Sequence, residues 1–200
     1  MIRLEGNAGL IDKVIRSRCL KVLALNILRF FASSNCDFQD EVTTGTVCDL
    51  QCCMQAVIFT GIQGSGKTTF FKDEFFRTHL RISLDLFRTR YREGKFLQTC
   101  FDTSMRFVID NTNPTVPDRA RYIRLAKEAH FKVIGYFFDS PLEDALNRNA
   151  IRTEKEIIPE KGIRATLNKL QGPTLAEGFD ELYRVTINQQ GLFVVESIDK

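Results

Sequence analysis

Residues 56–71 read AVIFTGIQGSGKTTFF. The stretch opens with a short apolar run, as expected of a strand buried on both faces. A glycine-rich segment follows, in which Gly61, Gly66, Lys67 and Thr68 satisfy G-x-x-x-x-G-K-[ST]. The next residues, GKTTFFKDEFFRTH, predict a helix. Strand, loop and helix in that order are the context in which this spacing cradles phosphate. Glycines let the backbone approach the phosphates, and the helix N-terminus adds its dipole and unpaired N–H groups. Lys67 is expected to reach the β- and γ-phosphates, and the Thr68 hydroxyl to help hold Mg²⁺. Gly64 relieves crowding within the loop. The residues expected around a nucleoside triphosphate are therefore Gly61, Ile62, Gln63, Gly64, Ser65, Gly66, Lys67, Thr68 and Thr69.

Outward from this loop, strands and helices alternate. RISLD (81–85), FVID (107–110) and FKVIGYFFD (131–139) predict strands, and YRVTINQQGLFVVES (183–197) predicts two strands joined by a polar turn. KFLQTCFDTSMR (95–106), PDRARYIRLAKEAH (117–130), PLEDALNRNAIR (141–152) and PEKGIRATLNKL (159–170) predict helices. Such alternation calls for a parallel sheet covered on both faces. The expected fold is α/β, a P-loop NTPase with a three-layer, nucleoside-kinase-like architecture. The pattern is coherent from residue 55 to about 197, so residues 54–200 are expected to form the P-loop domain and residues 1–53 an N-terminal extension.

Composition bounds the function. The 200 residues are 44% hydrophobic, enough for a core, and carry a net charge of +3, too little to announce a long nucleic-acid groove. No apolar run is long enough for a spanning helix, so no membrane association is expected. Residues 13–31 lack a clean cleavage site and read as an amphipathic helix instead of a leader. Five of the six cysteines (Cys19, Cys36, Cys48, Cys52, Cys53) lie in the extension, at irregular spacings that fit neither a disulfide framework nor a zinc site. A cytoplasmic location is expected.

A kinase needs a base for its acceptor hydroxyl and cations for its phosphates. Asp85 ends the second predicted strand, where a parallel sheet opens its ligand crevice. A carboxylate there can accept a hydroxyl proton. Arg88 shares a face with it if the chain turns helical, and would grip an acceptor phosphate. The alternative is that Asp85 caps a helix and Arg88 is solvated. Asp110 ends the third strand, a place that puts a carboxylate near Mg²⁺, or else it forms a turn with Asn111 and Asn113. Arg148 and Arg152 lie four apart on a predicted helix before a polar segment that reads as a lid. There they would neutralise the transferred group, or else simply face solvent.

Together GIQGSGKTTF, SLD, FVIDNTNPTVPDRARYIRLAKEA, RNAIR and GPTLAEGFDELYRV resemble the kinase domain of polynucleotide 5′-hydroxyl kinases. IDNTNP…RARY and PTLAEGF are especially close to the animal-type kinase–phosphatase, and the likeness covers residues 55–187. The resemblance implies transfer of the ATP γ-phosphate to a nucleic-acid 5′ end. It implies that Asp85 is the general base, that Arg88 binds the acceptor, and that Arg148 and Arg152 are lid arginines. Asp110, Asn111 and Asn113 match the acceptor-side strand end, with Asp110 or Asn111 as its key residue. The implied cofactors are ATP and Mg²⁺. No Asp-x-Asp phosphatase signature occurs. A small-molecule kinase acting on a nucleoside or sugar, and a non-enzymatic ATP-binding regulator, remain open as alternatives. Residues 1–53 hold six Lys plus Arg and six Asp plus Glu, so they add no net charge. Met54 immediately precedes the first strand, and the extension is expected to be dispensable, the product of an early start codon.

Overall fold

A computed structural model describes residues 54–153 and 157–198. The helix expected over 13–31, the five early cysteines and the role of the extension lie outside the described residues, as do residues 154–156 of the expected lid.

β1 (Gln55–Thr60) is an inner strand of the described sheet. Its side chains alternate between two cores, which is why residues 56–59 are all apolar. Ala56 and Ile58 face Leu97, Tyr122, Ile123 and Ala126, whereas Val57 and Phe59 face Phe70, Phe71, Ile134 and Phe138. β2 (Leu80–Ile82), β3 (Phe107–Ile109), β4 (Lys132–Phe138) and β5 (Glu181–Ile187) join it in parallel, and β6 (Phe193–Ser197) closes one edge antiparallel to β5. The order across the sheet is β2-β3-β1-β4-β5-β6. Sheet pairing already includes Met54, whose carbonyl accepts from the Lys132 N–H.

Helices cover both faces. α1 (Lys67–Phe70) runs directly into a π turn (Phe71–Phe75). The sequence predicts one regular helix over 66–79. The wider turn accompanies burial of two consecutive rings, Phe70 and Phe71, with Phe75 also turned in against Phe59. α2 (Leu84–Phe87) is a single turn, followed by α3 (Arg90–Asp102), α4 (Val116–Glu128), α5 (Leu142–Ala150) and α6 (Glu160–Lys169). α3 and α4 bury Leu97, Cys100, Tyr122 and Ala126 in one core, and α1 packs on the other. α5 and α6 form a smaller cluster with Ile62 through Ala145 and Ile163.

The chain leaves β1 toward α1 on one face and leaves β3 toward α4 on the opposite face. Adjacent strands whose connections diverge open a crevice at their carboxyl ends. That crevice lies between β1 and β3.

Candidate active site

The divergence of β1 and β3 brings the glycine-rich loop against the end of β3. The resulting crevice, of about 130 Å³, is lined by the loop from Gln63 to Thr69, by Asp85, by Asp110 to Thr112, and by Arg152 and Ile158. Among the residues read as site candidates, positions as far apart as Gln63 and Arg152 thus line one crevice.

The loop has a demanding backbone. Gly64 and Gly66 have φ of 77° and 94°, in the left-handed region that favours glycine. A Cβ on Gly64 would meet the Ala145 carbonyl oxygen at 2.4 Å. Crowding is therefore against α5 and not only within the loop. Arg148 of α5 completes this contact, donating from Nε to the Gly64 carbonyl at 2.7 Å and from its other end to Ser140 Oγ. Gln63 ties the loop to α6 by donating to Thr166 Oγ1 at 3.1 Å.

Lys67 is buried, and its ammonium donates to the carbonyls of Gly61 and Ile62 at 2.9 and 2.6 Å and to Ser65 Oγ at 3.2 Å. Burial pulls its pKa down to about 8, against the opposing pull of Asp110 and with a smaller push from Arg152. The Thr68 hydroxyl donates to Asp110 Oδ2 at 2.9 Å. These are the two residues expected to hold Mg²⁺, and the fold sets them side by side.

Several expected residues take other places. Gly61 and Ile62 lie outside the crevice: the Gly61 N–H is spent on the Thr112 carbonyl at 3.0 Å, and Ile62 belongs to the α5–α6 core. β2 stops at Ile82, three residues short of Asp85, because its register with β3 ends at Ile82↔Ile109. Ser83 is the N-cap, Asp85 sits in the first turn of α2, and its side chain still opens onto the crevice. A first-turn carboxylate also suits the helix dipole. Arg88 caps the other end of α2 with φ of 64°, exposed and outside the crevice lining. α5 ends at Ala150, so Arg148 and Arg152 do not share a helix face. The cause is buried Asn149, whose side chain pairs with both the carbonyl and the N–H of Ile158 and folds the chain back. Arg152 alone of the two lines the crevice, from the loop after α5. Asn113 is buried and donates to the Phe59 carbonyl at 2.8 Å, bracing β1, and it is not among the residues lining the crevice.

Asn111 is both lining and brace. Its Oδ1 accepts the Leu84 N–H at 2.8 Å, fixing the start of α2 beside Asp85. Its Nδ2 donates to Glu93 Oε1 at 3.0 Å, and the Tyr122 hydroxyl donates to the same oxygen at 2.7 Å. Glu93 is fully buried and pairs with Arg90 and Arg121. Nothing in the helical pattern of α3 marks this carboxylate as a brace. Arg81 is another residue the sequence leaves unmarked: its guanidinium donates from Nε to Asp110 Oδ2 at 2.7 Å. The stretches RARY and PTLAEGF prove to be one structural unit. Arg119 has no exposed side chain and meets Glu177 through Nε and Nη2 at 2.7 and 2.8 Å, and its Nη1 donates to the carbonyls of Asn113 and Gln171.

Residues 85–173 match the family model of an AAA domain, a stretch that begins at Asp85, beyond β2. The bifunctional polynucleotide phosphatase/kinase of Schizosaccharomyces pombe is 27% identical over 135 residues. The alignment covers 66% of this chain and 33% of that protein, so the chain spans about a third of its relative's length. Among solved structures, the AvrRxo1-ORF1:-ORF2 complex with ATP matches with a TM-score of 0.58 at 14% identity, covering 70% of this chain and 57% of that one. A gluconokinase from Sinorhizobium meliloti 1021 matches with a TM-score of 0.51 at 15% identity, covering 68% and 85%. These two likenesses concern the fold. The chain has the fold of P-loop kinases and is similar in sequence to a polynucleotide kinase–phosphatase. Among the described residues no helix is long and apolar enough to cross a membrane.

Proposed function

We propose that the chain is an ATP-dependent kinase that transfers the γ-phosphate to a 5′-hydroxyl of a nucleic acid or nucleotide-like acceptor. The observation that carries this reading is the convergence of Lys67, Thr68, Asp110, Asp85 and Arg152 on one crevice at a sheet switch point. Each has a part in phosphoryl transfer. Lys67 and the loop N–H groups hold the donor phosphates. Arg152 offsets charge developing on the transferred group. Asp85, exposed at the rim and held through Asn111, takes the acceptor proton. Arg148 acts indirectly, by fixing the loop carbonyl at Gly64.

The donor set also suits Mg²⁺. Thr68 Oγ1 and the Asp110 carboxylate are hard oxygen donors, and Mg²⁺ takes one or two carboxylates with the rest from phosphate and water. When bound it would neutralise charge on the β- and γ-phosphates. A kinase of this kind works where ATP is abundant, which fits a cytoplasmic location.

The surface beside Asp85 favours a nucleic-acid acceptor. Arg88 and Arg92 are exposed, Tyr91 is 74% exposed, and the Lys95 ammonium lies 5.6 Å from the Tyr91 ring. Cations interleaved with an exposed ring suit a single strand's phosphates and bases. A second reading is a small-molecule kinase, whose acceptor would enter the same crevice beside Asp85.

Incubating the full chain with labelled ATP, Mg²⁺ and 5′-hydroxyl oligonucleotides tests the proposal, with a nucleoside and sugar panel in parallel. Label on a strand's 5′ end supports it, and label only on a metabolite supports the second reading. ATP binding without transfer to any strand would sink the nucleic-acid assignment. Asp85→Asn is expected to bind ATP normally and to lose 10²–10⁴-fold in turnover, on the order typical of a lost general base.

A further inference from the structure

Arg81 stands between the candidate cation site and a second cavity. It projects from β2, an edge strand, toward the α1 side of the sheet. Its guanidinium meets Asp110 Oδ2 through both Nε at 2.7 Å and Nη2 at 2.6 Å, and Nη2 also donates to Thr68 Oγ1 at 3.3 Å. The Thr68 proton points at the same Asp110 oxygen. Thus one guanidinium sits on Asp110 Oδ2 and on Thr68 Oγ1, oxygens of the two residues that would ligate a cation. The Asp110 side chain is only 2% exposed, so without a cation it needs a resident counter-charge.

We propose that Arg81 is a positioning residue that holds these two oxygens in the nucleotide-free protein and yields them to the divalent cation arriving with the nucleotide. The inference rests on the reading of Thr68 and Asp110 as the cation's ligands. A doubly charged ion outcompetes a single guanidinium for a shared carboxylate oxygen once phosphates complete its shell. The displaced arginine has somewhere to go. Its side chain is 30% exposed and borders a cavity of about 310 Å³ walled by Phe71, Phe76, His79 and Leu80. The Phe71 ring is already 6.0 Å from the guanidinium carbon and offers its face to the cation. Of the cationic residues there, Lys72 is exposed and solvated, and burial pulls the His79 pKa down to about 4, so His79 is uncharged at neutral pH. Because displacement costs free energy, Arg81 lowers the gain in nucleotide affinity that a divalent cation confers, and linkage makes the effect reciprocal.

The test is the ratio of ADP dissociation constants in EDTA and in saturating Mg²⁺, by titration calorimetry on the full chain. Arg81→Gln is expected to raise that ratio at least tenfold over the unsubstituted chain, with no such rise when Arg81→Gln is added to Asp110→Asn. An unchanged ratio, or an equal rise without Asp110, overturns the proposal. If Arg81→Gln does not fold, the side-chain Nε–H resonance of Arg81 in the unsubstituted chain, identified by its loss in Arg81→Lys, decides the matter. It is expected to shift with Mg²⁺·ADP and to stay put with ADP in EDTA. No shift with Mg²⁺·ADP overturns the role of Arg81. Normal ADP binding with an unchanged ratio removes only this inference, whereas no ADP binding under either condition removes the donor-site reading beneath it.

Discussion

Raising the pH from 7 to 9 is expected to weaken nucleotide binding about tenfold through Lys67 alone. Its ammonium sits among the carbonyls of Gly61 and Ile62, and burial holds its pKa near 8 instead of 10.5. Phosphate oxygens would bring the missing counter-charge and return the pKa toward its ordinary value. The bound state then wants the protonated lysine throughout this pH range. The nucleotide-free protein is about nine-tenths protonated at that site at pH 7 and about one-eleventh at pH 9. The cost of restoring the proton is about 1.4 kcal/mol, or about tenfold in affinity. Nucleotide phosphates, with a second pKa of about 6, contribute little over the same range. Calorimetry with Mg²⁺·ADP at pH 7, 8 and 9, in two buffers of different ionisation enthalpy, measures both quantities. Proton uptake is expected to rise from about 0.1 to about 0.9 per nucleotide as pH climbs from 7 to 9, following the same ionisation balance. A constant affinity with no proton uptake would refute the reasoning. The sign is opposite for the nucleotide-free fold. A depressed lysine pKa means the unfolded chain holds the proton longer, so this group adds stability as pH rises from about 8 to 10.5.

Two further predictions concern the scaffold. Glu177→Gln strips the buried Arg119 of its carboxylate, and a cost of about 3–5 kcal/mol is expected in urea unfolding, as for breaking a buried ion pair from one side; a loss below about 1 kcal/mol would show the pair is not the clamp it resembles. Gly64→Ala drives a methyl onto the Ala145 carbonyl and demands a left-handed φ from alanine, so the loop must move. ADP affinity is expected to fall at least tenfold with the melting temperature shifted by only a few degrees, and an unchanged affinity would mean that loop geometry is not limiting.

The phosphate loop was legible because its chemistry is local. Glycines at fixed spacing, a lysine and a threonine act through a backbone turn that spans eight residues. The strand cores were legible because the middles of β1 and β4 are buried on both faces and therefore carry apolar runs. Element ends were less so. β2 ended early because its neighbour β3 ran out, and α5 ended early because Asn149 paired with Ile158; in each case the partner lies outside the segment concerned. Arg148 and Arg152 fit a single helix face by spacing, yet one braces Gly64 and the other faces the crevice.

The sequence by itself determined the donor loop, the alternation that yields a covered parallel sheet, and the carboxylate directly after the third strand. Each follows from residue type and spacing over a few positions. Only the tertiary structure decided which polar residues work at the crevice and which hold it together. Asn113, Glu93, Arg119 and Arg148 are as polar as Asp85, but each is consumed by partners distant in the chain. A buried polar group must find such partners or cost several kcal/mol, on the order of a lost hydrogen bond or more. Those partners are assigned by the packing of α3, α4 and α5 on the sheet. The placement of Arg81 on the Asp110–Thr68 pair belongs to the same class, created by the adjacency of β2 and β3 and invisible in either strand alone.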